Sequence, residues 1–329
     1  MTYSDPSVPV RYQALSVEAA ASKSLSTSHS VLRVHSVFPS TMNLEIEGTD
    51  EVIALRGRSG RAYPHAVVLE PPVDFRDWRI PPGGRARLTD GLLHLEGTAG
   101  CVIVDLSLAQ RPPARSLPLI SKTGGAFRAC VDRLIESQAA KGSDLSVGVL
   151  LHGGRATTAL GNELCGAALD LGAASRAFLR SQRSTSACPP GPSGQDPEPL
   201  QRAVAALVGL GAGLTPSGDD FLCGYLAATR ACDSGPIEVG CGLSVPLNEA
   251  VEANLGRTGS LSAALVRCAL RNFWPGPLVD LAEALAGKQE GAALRALDDL
   301  LLLGHSSGSD LATGFLFGLE VLLGAAALC

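Results

Sequence analysis

Aromatic side chains are scarce in this sequence, at 4% of 329 residues, although hydrophobic residues as a class reach 46%. With few rings to fill a core, alanine, leucine and glycine must do so, which favours helices packed closely through small residues. Histidine is rare as well, and the nine cysteines stand singly with no Cys-x-x-Cys pair. That pattern excludes a zinc ribbon and a disulfide framework; it reads as reduced, mostly buried thiols of a cytoplasmic protein. Lysine and arginine form no dense block and the net charge is −5, so nucleic acid is not an expected partner. The first thirty residues are polar and serine-rich and lack the apolar core of a signal peptide. The most apolar stretch, residues 311–329, follows Asp310 and contains Glu320 and recurrent small residues. It reads as a buried helix, not a membrane span. The Lys-Ser/Thr of a P-loop and the Rossmann glycine spacing are both missing, so no nucleotide is implied. No short-period repeat is visible.

What is present divides into two kinds of pattern, and the length suits two domains. Residues 1–28 read as a flexible lead-in. From 29 to 113 the pattern is strand-like: short apolar runs at 31–38, 43–47, 52–56, 66–69, 86–88, 92–96 and 102–106, separated by glycine and proline turns. Many short strands at regular spacing predict a small antiparallel β-barrel or sandwich. After Pro112-Pro113 the period becomes helical, and residues 114–329 read as a mainly α-helical domain, giving an α+β chain. Helices are expected near 198–208, 217–231, 245–255, 260–272, 277–287, 290–303 and 308–327, with one or two more within 156–183. Leu145 to Leu151 fits either a buried strand or a helical turn. The proline-rich segment 188–197 reads as a loop, either a lid or a linker.

The helical part holds two related loop–helix junctions. The first is Gly209-Leu-Gly-Ala-Gly-Leu-Thr-Pro-Ser-Gly-Asp-Asp220, and a weaker copy runs Gly304-His-Ser-Ser-Gly-Ser-Asp310. They share Ser-Gly-x-Asp-x-x-x-Gly, at Ser217/Gly218/Asp220/Gly224 and Ser307/Gly308/Asp310/Gly314. One reading is structural: each Ser-x-x-Asp is a capping box, and the glycine stripes let two helix backbones approach closely. The other is functional: Gly209, Gly211 and Gly213 form an anion-binding nest beside a positive helix start. Asp219 and Asp220 would repel a bare anion. They suit a ligand that pairs an acid group with N–H donors, or a bound metal ion.

These motifs resemble the AllH-like family, which includes a subunit of oxamate carbamoyltransferase. The similarity extends to His35-Ser-Val-Phe38 with Asn43-Leu44 and to Arg257-Thr-Gly-Ser-Leu-Ser262. Ser306 stands where the family pattern has threonine, and Gly259 where it has a second threonine. The signature Ser-Thr-Arg-Thr of ordinary transcarbamoylases is absent. The resemblance implies carbamoyl transfer between carbamoyl phosphate and the amide nitrogen of oxamate, giving oxalurate, within allantoin breakdown. It implies AllF-like and AllG-like partner subunits. Asp219, Asp220 and His305 become catalytic candidates. Gly211, Gly213, Thr215, Ser217, Gly218, Arg257, Ser307, Gly308 and Asp310 become substrate-binding candidates. Mg2+ at Asp219/Asp220 is an open possibility. A non-catalytic assembly subunit and a stand-alone ureide-binding protein are the alternative readings.

Overall fold

Alternation of apolar and polar residues places every second side chain of a strand on one face, and here that face closes on itself. The computed structural model describes residues 9–26, 29–57, 63–98, 100–184, 198–233 and 242–327. The chain forms two units, Met1–Arg115 with Phe273–Gly276, and Ser116–Asn272 with Pro277–Cys329.

In the first unit the strands are β1 (Val10–Val17), β2 (His29–Val37), β3 (Thr41–Ile46), β4 (Val52–Gly57), β5 (Ala66–Leu69), β6 (Arg85–Thr89), β7 (Leu92–Gly97) and β8 (Gly100–Asp105). They close as a barrel in the order β1-β5-β4-β3-β2-β6-β7-β8. Pairing is antiparallel except for β1 with β8 and β4 with β5, which are parallel. Leu32, Val34, Leu44, Ile53, Leu55, Val67, Leu69, Leu93, Leu95 and Val104 fill the inside, with Phe75 and Trp78 from a 3-10 turn (Phe75–Trp78). Asp90 and Gly91, both at positive φ, make the tight turn between β6 and β7.

The reading of residues 1–28 as a flexible lead-in is corrected at Val10–Val17 and Ala19–Ser24. Residues 10–17 are β1, the strand that closes the barrel against β5 and β8, and helix α1 (Ala19–Ser24) follows it. Closure leaves the sheet with no unpaired edge. Backbone pairing makes this strand, and a polar, serine-rich composition does not reveal it.

The second unit comprises α2 (Gly125–Lys141), α3 (Val147–His152), α4 (Ala159–Ser184), α5 (Glu198–Leu207), α6 (Ser217–Asp233), α7 (Ser244–Asn254), α8 (Ser260–Leu270), α9 (Gly276–Ala286), α10 (Glu290–Leu300) and α11 (Ser307–Ala327). The ambiguous segment at 145–151 is helical: the Ser146 hydroxyl caps α3 by accepting from the Val149 N–H. The segment 188–197 lies outside the described residues. No helix among the described residues is long and apolar enough to cross a membrane.

Helices α6 and α11 are the centre of this unit and are buried nearly all round. They run parallel and almost touch. A Cβ at Gly224 would stand 2.0 Å from the Leu311 carbonyl oxygen, and one at Gly314 would stand 2.0 Å from that of Phe221. One turn further on, Gly318 meets Ala228. Only glycine permits these approaches, so the stripes visible in the sequence are the seam of the pair. Each helix follows a shorter one, α5 before α6 and α10 before α11, through a tight loop. At the start of each long helix a glycine presses on the preceding helix: a Cβ on Gly218 would fall 2.1 Å from the Leu207 carbonyl oxygen, and one on Gly308 would fall 1.9 Å from that of Leu300.

Candidate functional site

Parallel packing brings both helix starts, and with them both motifs, to the same end of the pair. Five of the amides there bond to backbone. Gly218 N–H donates to the Leu210 carbonyl, Asp219 and Asp220 N–H to Pro216, Gly308 N–H to Leu303 and Asp310 N–H to Ser306. The capping boxes expected from Ser-x-x-Asp therefore do not form, and the serine and aspartate side chains are turned to other uses. Gly218 and Gly308 act as packing positions, with their amides taken by the loops before them.

Asp219 and Asp220 take different directions, as neighbouring residues on a helix must. Asp219 is buried, and both of its oxygens are occupied. Oδ1 accepts from the Gly209 N–H at 2.8 Å; Oδ2 accepts from the hydroxyls of Thr258 and, at 2.6 Å, Ser262. It ties the glycine loop to the turn before α8. Gly209 thus gives its amide to Asp219, which removes it from any anion nest. Its positive φ and the adjacent Arg257 carbonyl leave no room for a side chain there. Gly211, also at positive φ, packs against the Ser217 amide, while Gly213 faces open space.

Asp220 points toward α11. Its Oδ2 is buried and has no hydrogen-bond partner. Burial drives its carboxyl well above the usual carboxylate range, and the charges of Asp310 and Asp219 push the same way. The hydroxyls of Ser307 and Thr215 oppose them; these two hydroxyls are themselves 3.0 Å apart. Asp310, its counterpart, is fully buried, and neither of its oxygens has a hydrogen-bond partner. Its carboxyl is pushed up to about 7, chiefly by burial and further by Asp144, against the hydroxyls of Ser217 and Ser306. The arrangement is crossed: the acid of each helix lies by the serine that starts the other. Two carboxylates with unused acceptors, ringed by Thr215, Ser217, Ser306 and Ser307, sit where two positive helix ends meet.

The remaining candidates lie at the rim. His305 is exposed in the loop before α11, and Arg257 is exposed in the 3-10 turn Leu255–Arg257. Neither contacts the acids. Asp219 spends both oxygens on Gly209, Thr258 and Ser262, whereas Asp220 is turned toward α11. Sequence reasoning missed Gln138, Asp144, Thr258 and Ser262 as residues serving the site. Gln138 is buried in α2; its amide donates to Ser309 and Thr313 of α11 and its carbonyl accepts from the Val147 N–H. Asp144 accepts from Thr158 at 2.6 Å. Thr258 and Ser262 did carry a signal, since both lie in the Arg257-Thr-Gly-Ser-Leu-Ser262 motif.

Two family models match the chain. One, described as oxamate carbamoyltransferase subunit AllH, covers residues 207–319 and so spans both helix starts. The other, the AllH family N-terminal domain, covers residues 13–111, the barrel. No solved structure matches the chain.

Proposed function

The chain belongs to the AllH family, and from that membership we propose that it is an oxamate carbamoyltransferase subunit whose paired helix starts bind the reacting groups. The family description supports the subunit assignment. The reaction read here is attack of the oxamate amide nitrogen on the carbamoyl carbon of carbamoyl phosphate. A C–N bond forms, the C–O bond to phosphate breaks, and the nitrogen gives up a proton; oxalurate and phosphate result.

The observation that carries this reading is the set of unused acceptors on Asp220 and Asp310. A buried acceptor left without a donor costs about 1–3 kcal/mol, and both substrates bring NH2 groups to fill the gap. Asp220 accepts an N–H of the attacking amide and takes its proton; burial raises its proton affinity above that of an ordinary carboxylate. The surrounding hydroxyls donate to carboxylate or phosphate oxygens, and the positive field of the two helix starts favours the anion. Arg257 and His305, at the rim, are placed in the reading as an anion partner and a second proton carrier. AllF-like and AllG-like chains complete the enzyme.

The test is Asp220→Asn in the reconstituted complex. Turnover should fall at least a hundredfold with assembly intact, and unchanged turnover in a correctly assembled complex would remove Asp220 from the chemistry. An assembly role is favoured by a separate observation: Leu214 and Leu302, on the two loops beside the site, are exposed at 41% and 67%. If that is the chain's main role, Leu214→Asp with Leu302→Asp should abolish co-purification with the partners, while Asp220→Asn leaves activity intact. Titration calorimetry of the isolated chain with oxamate, oxalurate and carbamoyl phosphate separates both from a protein that binds ureides alone.

A further inference from the structure

Asp220 and Asp310 are unexplained as a purely protein-made arrangement. Among the described residues neither forms an ion pair, and three of their four oxygens are buried without a hydrogen-bond partner. Ionised, the pair would carry two negative charges, and the two helix starts offset only part of them. Hydroxyls stand around the two acids, Thr215 and Ser307 by Asp220 and Ser217 and Ser306 by Asp310, and the carboxylates of Asp219 and Asp144 add to the negative field. The donor set is thus all oxygen, drawn equally from the two motifs.

We propose that Asp220 and Asp310, with the hydroxyls of Thr215, Ser217, Ser306 and Ser307, bind a hard divalent cation of the magnesium class. Oxygen donors without imidazole or thiolate select magnesium, manganese or calcium over zinc or copper. No group of three or more histidine, cysteine, aspartate or glutamate side chains suited to a metal occurs among the described residues. Magnesium commonly makes do with one or two carboxylates and takes its remaining oxygens from water and a substrate phosphate. Resting on the carbamoyl-transfer reading, the cation is held by Asp310 and one oxygen of Asp220 and attaches the phosphate of carbamoyl phosphate, while the other oxygen of Asp220 accepts the amide N–H. Cation binding itself does not depend on that reading. The pairing also explains the crossed geometry: each helix contributes one acid and the serine that starts it, and the parallel seam brings the two sets together.

The experiment titrates the metal-stripped full chain with Mn2+ and follows free Mn2+ by electron paramagnetic resonance. One Mn2+ per chain should bind and be displaced by Mg2+. Affinity should fall at least tenfold in Asp220→Asn and in Asp310→Asn, and about threefold in Ser217→Ala with Ser306→Ala. Asp170→Asn, at an exposed position of α4, should bind as the wild type does. Circular dichroism checks that each variant is folded, and the serine pair serves if an aspartate variant is not. Absence of stoichiometric Mn2+ binding by the folded wild type overturns the proposal, as does full binding in folded Asp220→Asn and Asp310→Asn. The two readings fail separately. Binding without turnover in the reconstituted complex leaves the cation and sinks the transferase, and turnover in a complex that binds no metal does the reverse.

Discussion

Asp219 and Asp220 are adjacent, identical and both buried, yet they have opposite partners. Asp219 accepts from one amide and two hydroxyls, whereas Oδ2 of Asp220 accepts from nothing. Hydrogen bonds to a charged group contribute about 1.5–3 kcal/mol each. Asp219→Asn should therefore lower stability by roughly 2–3 kcal/mol, while Asp220→Asn in metal-free protein should cost little or be stabilising. Urea denaturation of the two variants measures the contrast. In the barrel, His65 is buried, and its Nδ1 has no partner. Burial first, and then the charge of Arg56, lower its pKa to about 3. Unfolded, it titrates near the ordinary value of about 6.5. Between those values the unfolded chain binds a proton that the folded chain does not. Stability is thus unaffected by His65 above about pH 6.5 and falls as pH drops toward 3, by up to about 4 kcal/mol. His65→Leu should flatten the acid limb of a plot of stability against pH. The motif residues themselves were legible in the sequence, but their partners were not. Asp219 meets Thr258 and Ser262 across some forty residues and Asp220 lies by Ser307 across nearly ninety, and such distant pairings leave no local pattern.

At the scale of the element, helical periodicity is a strong signal because a buried face repeats along many residues. The helices from α5 to α11 follow their sequence-based ranges to within a few residues for that reason. Residues 10–17 gave no comparable signal, since a closing strand is specified by two neighbours. The glycines carried two meanings that sequence could not separate. At Gly224 and Gly314 the structure selects packing, and Ala at either should cost more than about 3 kcal/mol, beyond ordinary overpacking. Gly318→Ala, opposite a methyl group, should be milder. Gly166, exposed within α4 with open space where a Cβ would stand, should accept alanine with a gain of about 0.5–1 kcal/mol from helix propensity. Thermal melts of these four variants rank the predictions.

On the scale of the whole molecule, each unit has its own reporter. The two tryptophans, Trp78 and Trp274, both fall in the barrel-bearing unit, while most helix lies in the other. Tryptophan fluorescence therefore follows the barrel, and far-UV circular dichroism mainly the helices. Gly224→Ala should shift the dichroism transition more than the fluorescence one, and His65→Leu should do the opposite. Equal shifts in both signals, for both variants, would mean a single cooperative unit.

The seam between α6 and α11 also sets a schedule. The two helices lie ninety residues apart in the chain, and neither can cover its glycine face without the other. At a synthesis rate of about 5–20 residues per second, α6 emerges roughly 5–18 seconds before its partner. Through that interval its apolar surface and Asp220 wait uncovered, in a contact of long sequence separation that is slow to close. A chain stopped before Ser307 would carry the whole first motif without the helix that covers it.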